Sequence, residues 1–240
     1  IWAFLMPPFE AGGSSNGAVV TGGGEIVAAF DRGLGLRLGV RPGGELRPGI
    51  RVGVDVPTSG FAFLCYALLG ARGLRRDDVE IVALGSTPKR LEALLAGDCD
   101  ATILNAGNEL RGAAAGAGLL GSTAEVGPYL GTVLARLTDS AQPEAVDRLA
   151  AVLTTTAAEI VAGAHREIAI AAAADRLGLD AELAAAHADV LRDPVDGLVA
   201  DGLVDGEALI TMTDLRRRYL PVPELDGLDP RGAVRAGRLR

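Results

Sequence analysis

Lysine is almost absent from this chain: Lys89 is the only one in 240 residues, and arginine carries the rest of the fixed positive charge. Aromatic residues make up only 4%, so a core must be built mostly from Ala, Leu and Val. Histidine and cysteine occur twice each, as His165, His187, Cys65 and Cys99, and no spacing among them forms a metal-ligand set. There is no P-loop, no G-x-S-x-G elbow and no H-E-x-x-H, and Gly22-Gly23-Gly24 lacks the G-x-G-x-x-G spacing of a dinucleotide site. So thin an inventory gives no reason to expect an enzyme, a cofactor or a metal. The formal net charge of −8 comes without any basic patch interleaved with aromatics, which argues against a nucleic-acid partner. No stretch approaches the ~20 apolar residues of a membrane-spanning helix. The opening IWAFLMPPFE has neither an initiator Met nor a basic n-region; it reads as the edge of a fragment, not as a signal peptide. Two cysteines make no disulfide framework: they read as separate buried thiols or as one bridge.

What the chain does have is a unit that occurs twice. RVGVDV breaks into Pro57-Thr58-Ser59-Gly60 and then the apolar FAFLCYALL; VEIVAL breaks into Gly85-Ser86-Thr87-Pro88 and then KRLEALLAG. Each reads as a strand, a hydroxyl-bearing turn and a helix N-terminus. The second helix takes Thr87 as N-cap with Pro88 in its first turn, a core face of Leu91, Leu94 and Leu95, and Gly97 as its stop. DATIL is a third strand, opening into Asn105-Ala106-Gly107-Asn108, and ELRGAAAGAG reads as a closely packed helix. YLGTVLARL is a further strand. This alternation predicts an α/β fold with parallel or mixed sheet and helices on its faces.

The flanks are less specified. In residues 1–49, AVVT, Gly22-Gly23-Gly24 and EIVAAF read either as a third strand–turn–helix or as a flexible glycine loop, and LGLRLGV reads as a strand. Residues 141–219 read as helices, the first with Val146, Leu149, Val152 and Leu153 on one face. The Pro/Gly/Arg-rich tail from Pro221 is expected to be loosely ordered.

In open α/β sheets, ligands sit beyond the carboxyl ends of the strands. Thr58, Ser59 and Gly60 follow one strand, Ser86 and Thr87 the next, and Asn105 the third, so together they can offer uncharged donors to a small solute. Each also reads as an ordinary helix cap, and both readings stay open. Tyr129 reads as a ligand contact or as packing, and Thr21 with Gly22, Gly23 and Gly24 as a weaker loop. His165 and His187 fall on predicted helices and read as surface or hydrogen-bonded residues.

VGVDVPTSGFAFLCYALLGARGL, VEIVALGSTPKRLEALLAGDCDATILN and EVGPYLGTVLAR resemble the second lobe of type 2 periplasmic binding proteins. The similarity is to the nitrate/sulfonate/taurine and thiamine-pyrimidine-precursor class of ABC-transporter solute-binding proteins, and DGLVDGEALITMTDLRRRYL resembles their closing segment. The resemblance implies two lobes with mixed sheets flanked by helices, closing by hinge motion on a small polar or anionic solute such as a sulfonate, nitrate or a pyrimidine. It implies an extracytoplasmic monomer that hands its solute to an ABC permease. It divides the chain into an incomplete remnant of lobe 1 (1–49), lobe 2 (50–137), a helical part returning to lobe 1 (138–220) and the tail (221–240). It carries ligand-facing roles to the turn Thr58-Ser59-Gly60, to Ser86-Thr87 and to Asn105, and less directly to Thr21, Gly22 and Gly23. An enzyme on the same fold, a lyase or desulfinase using Cys65 or a histidine, is the alternative, and a ligand-sensing module a third. The cysteine- and histidine-rich signature of the pyrimidine-synthesising relatives is not seen.

Overall fold

Short β-branched runs become the sheet that organises the middle of the chain. In the computed structural model, residues 23–137 and 140–240 are described, together with a minimal pairing of β1 (Phe9–Glu10) and β2 (Val19–Val20). Two compact units result. Unit 1 falls within residues 1–34, 127–166 and 191–240, and unit 2 comprises 35–126 and 167–190. Residues 35–49 and 167–190, placed by the sequence reading with a first-lobe remnant and a returning helical part, thus associate with unit 2.

Unit 2 is built on a five-stranded mixed sheet. It uses β4 (Arg37–Val40), β5 (Arg51–Val54), β6 (Glu80–Ala83), β7 (Ala101–Leu104) and β8 (Gly118–Ser122), in the order β6-β5-β7-β4-β8. β5 is parallel to β6 and β7, while β4 is antiparallel to β7 and β8. The assignment of 35–49 follows from this register, because Arg37 to Val40 pair residue by residue with Leu104 to Ala101.

The helices follow from local pattern. α1 (Gly60–Gly70) is buried at every residue from Ala62 to Leu69, as a helix that is apolar all round must be. α2 (Thr87–Ala96) buries Arg90, Leu91, Ala93 and Leu94, and Gly97 terminates it at φ 80°, a left-handed cap suited to glycine. Leu95, expected on the core face, is exposed. Its place is taken by Arg90, which rotates the buried stripe by one residue. α3 (Asn108–Ala114) ends early, and the Gly-rich continuation GLLGS forms β8 instead of prolonging the helix. In the centre of the sheet, a Cβ on Gly53 would lie 2.7 Å from the Leu84 side chain and 3.1 Å from Cys99 Sγ, so that strand position requires glycine.

Unit 1 rests on an antiparallel ribbon of β3 (Gly24–Asp31) and β9 (Thr132–Leu137). EIVAAF is therefore strand, not helix. Ile26 to Ala29 are fully buried, a short apolar run that periodicity alone does not separate from a buried helix. α4 (Pro143–Val161) lies on β3 through Ala150 and Val146, which pack with Val27, Ala28, Phe30 and Leu134. Of the predicted apolar face only Val146 joins this core; Leu149, Val152 and Leu153 are exposed, Val152 at 62%. Small Ala150 and Ala157 let the helix approach closely, and the larger residues lie outside that contact. α5 (Arg166–Leu177), α6 (Ala181–Val190) and α7 (Gly206–Tyr219) complete the α-helices among the described residues. The tail is tied down by backbone bonds. Arg235 N–H donates to Ile26 O at 3.0 Å, Val204 N–H to Arg238 O at 2.8 Å, and Arg240 N–H to Val204 O at 3.0 Å.

Candidate ligand-binding site

Because β5, β6 and β7 run parallel and adjacent, their carboxyl ends leave the sheet along one edge, about 10 Å across for three strands. Asp55, Leu84 and Asn105 are the first residues beyond them. The turns singled out in the sequence all start here, and the N-termini of α1 and α2 follow directly.

The turn after β5 is a helix cap. Ser59 is buried, its hydroxyl accepts from Ala62 N–H at 3.0 Å, and it donates to Asp55 Oδ1. Thr58 before it is exposed and Gly60 after it half-buried. Gly60 and Phe61, as the first helical residues, direct N–H groups that have no acceptor within the helix.

The turn after β6 differs. Ser86, not Thr87, is the N-cap: its backbone is extended (φ −62°, ψ 155°), and its exposed hydroxyl makes no cap bond. Thr87 is already helical. Its hydroxyl accepts from Arg90 Nη2 at 2.9 Å and donates to Asn105 Oδ1 at 3.3 Å. Thr87 and Asn105 are thus joined directly. Asn105 in turn opens a tight bend, with its carbonyl accepting from Asn108 N–H and Asn108 Nδ2 at 3.1 and 3.0 Å. Ala106 and Gly107 then pass through left-handed backbone at φ 53° and 86°.

Arg90 is the residue the sequence reading did not find. Only 2% exposed, its guanidinium donates through Nη1 to Gly85 O at 2.5 Å, through Nε and Nη2 to Ile103 O at 3.3 and 3.2 Å, and through Nη2 to Thr87. Its Cζ lies 5.9 Å from the centre of the Phe61 ring at the start of α1. Among the described residues, no carboxylate lies within 4.0 Å of it. Desolvation pulls the guanidinium below its ordinary value and the Asp55 carboxylate works the other way, but an arginine stays charged throughout. A planar fork suits this place because its donors, spread over three nitrogens in a fixed plane, reach two carbonyls and a hydroxyl that lie apart, whereas an ammonium gathers its three donors on one nitrogen. The signal available in the sequence was weak, since Lys89-Arg90 at a helix start reads as a solvated charged face.

The other candidates lie elsewhere or are closed. Tyr129 is buried in unit 1 and Gly23 is half-buried before β3; Thr21 and Gly22 lie outside the described residues. Cys65 and Cys99 are both buried and unbridged. Burial pushes the Cys65 thiol up to about 12 and the Cys99 thiol to about 11, so neither supplies a thiolate near neutrality. His165 is exposed, 3.4 Å from Glu159, and His187 is buried on α6 with no hydrogen-bond partner for Nδ1. Among the described residues, no group of three His, Cys, Asp or Glu is placed to hold a metal.

No family model matches the sequence, and no curated protein matches it either. Solved structures do match. The alkanesulfonate-binding protein SsuA of Xanthomonas axonopodis pv. citri, bound to MOPS, aligns over 88% of this chain and 73% of its own, at 17% identity and a TM-score of 0.65. The fold is that of a type 2 periplasmic binding protein. The periplasmic aliphatic sulphonate binding protein SsuA of Escherichia coli aligns over 88% of this chain and 68% of its own, at 16% identity and TM-score 0.63. The same fold also carries chemistry: the desulfurization enzyme DSZB aligns over 86% of this chain and 74% of its own, at 16% identity and TM-score 0.57. On this periplasmic-binding-protein fold, the edge formed by β5, β6 and β7 brings hydroxyl and amide groups together with one buried cation, Arg90, and with the Asp55 carboxylate that Ser59 holds.

Proposed function

We propose that this chain is a solute-binding protein that captures a small organic anion, a sulfonate in the first instance, at the carboxyl edge of β5, β6 and β7. The observation that carries this reading is the convergence of Thr87, Asn105 and two helix N-termini on one edge, backed by the buried guanidinium of Arg90. Helix N-termini and oriented N–H groups favour negative charge. Two proteins of the same fold are named for sulfonate binding, which supports the choice of anion. By the same likeness the protein works outside the cytoplasm and delivers its solute to an ABC permease, with no bond made or broken. Nitrate and pyrimidine-like solutes are the competing ligands.

Calorimetry against MOPS, methanesulfonate, nitrate, acetate and uracil tests the reading. A sulfonate is expected to bind saturably and to raise the melting temperature; a ligand at 100 times its Kd stabilises by about 2.7 kcal/mol. Saturable binding of uracil alone would replace the anion by a ring. A second reading, an enzyme, is favoured by the likeness to DSZB. Hydrolysis of a sulfinate to inorganic sulfite, with water supplying the oxygen to sulfur and the proton to carbon, abolished by Cys65→Ala, would establish it; unchanged sulfonate affinity in that variant, with no release, supports the binder.

A further inference from the structure

We infer that Arg90 is a positioning residue that sets the hydrogen-bond polarity of Asn105 through Thr87. This rests on the anion-binding reading above and adds to it the device that orients one of the site's side chains. A guanidinium only donates, so the Arg90 Nη2 bond to Thr87 Oγ1 at 2.9 Å uses the hydroxyl as an acceptor. The single hydroxyl proton is then directed to Asn105 Oδ1 at 3.3 Å. That order gives every donor in the chain an acceptor. With its amide reversed, Asn105 would share the remaining lone pair of Thr87 Oγ1 with the Arg90 bond, and the Thr87 proton would lose the acceptor it has here. The carboxamide is therefore held oxygen-inward, and its Nδ2 hydrogens are what it presents to its other partners. For a site that takes an anion, this is the productive sense, because a carbonyl oxygen in the same place would repel the ligand.

Arg90 does this without meeting the ligand, being 2% exposed and anchored to Gly85 O and Ile103 O at the exits of β6 and β7. Both anchors are backbone, so the fork's position is set by the sheet and not by other mobile side chains.

The test uses Thr87→Val, which keeps the shape and removes the hydroxyl, Thr87→Ser, which restores it, and Arg90→Lys, which keeps the charge and loses the fork. The primary readout is the Asn105 side-chain amide in a ¹H–¹⁵N spectrum, identified by its disappearance in Asn105→Asp. Thr87→Val is expected to shift that resonance pair and speed its exchange with water, while Thr87→Ser leaves it in place. MOPS affinity is the second readout. Thr87→Val and Arg90→Lys are each expected to lose about tenfold, Thr87→Ser less than about threefold, and the Val–Lys double variant no more than the worse single one. An Asn105 amide unmoved by Thr87→Val overturns the proposal, as do losses that multiply in the double variant. Should the unaltered chain bind no anion, the function reading fails and the amide signal still decides the role of Arg90.

Discussion

Replacing Arg90 by Met isolates the cost of the buried fork. Methionine fills the space of the aliphatic stem but leaves Gly85 O, Ile103 O and Thr87 Oγ1 without their donors. The cost is uneven. Ile103 O is buried, so its loss carries the full penalty of an unsatisfied carbonyl, about 1–3 kcal/mol. Gly85 lies at an exposed turn where water can replace the donor, and Thr87 is half-buried, so about 0.5–1 kcal/mol each is expected there. The contact with the Phe61 ring adds about 0.5–1 kcal/mol. Against this, the variant no longer desolvates a charge, and buried ionic groups replaced by apolar ones often recover part of their cost. The net expectation is a loss of about 2–3 kcal/mol, read by urea denaturation as a lower midpoint with an unchanged slope. A variant as stable as the original, or more stable, would show that Arg90 is tolerated and not structural, and would refute the account of how the two turns are held together.

Three further expectations follow from other groups. Burial holds the His187 imidazole below its ordinary range, so the unfolded chain binds a proton there that the folded one resists. This contribution to stability is complete above the unfolded value near 6.5 and falls as pH drops below it, by at most about 1.4 kcal/mol per pH unit; His187→Phe should flatten the acid limb between pH 7 and 5. Ala106 occupies left-handed backbone at φ 53°, which costs an L-residue about 1–2 kcal/mol; after the unfolded-state entropy of glycine is deducted, Ala106→Gly should raise stability by about 0.5–1 kcal/mol, read as a higher calorimetric melting temperature. Leu94, fully buried on α2 among Leu91, Cys99 and Leu104, should cost about 2–5 kcal/mol when cut to Ala, again by denaturant unfolding.

Much of unit 2 was legible because its strands are short β-branched runs bounded by turn residues, and two of its helices carry their own stop signals. The elements that escaped did so for identifiable reasons. GLLGS lacks β-branched residues and follows a helix rich in Ala and Gly, so nothing local marks β8; its pairing with β4 does. EIVAAF is apolar over a length common to strands and to buried helix segments, and β9, far along the chain, decides between them. On α4 the large apolar residues advertise a face, but the packing surface is the alanine stripe, which has no contrast in a chain this rich in alanine. The site shows the same division. Strand ends and caps are local properties, and the junction of Thr87 with Asn105 follows from strand order. Arg90 was illegible because its burial depends on carbonyls supplied by Gly85 and by Ile103, thirteen residues onward.

The most direct measurement is a titration of the chain with MOPS, followed by backbone ¹H–¹⁵N spectra. Binding at the proposed edge predicts saturable shifts concentrated at Thr58–Phe61, at Ser86, Thr87 and Lys89, and at Asn105. Saturation with shifts confined to other surfaces, or no saturable change at all, would contradict the claim that this edge of the sheet is an anion site.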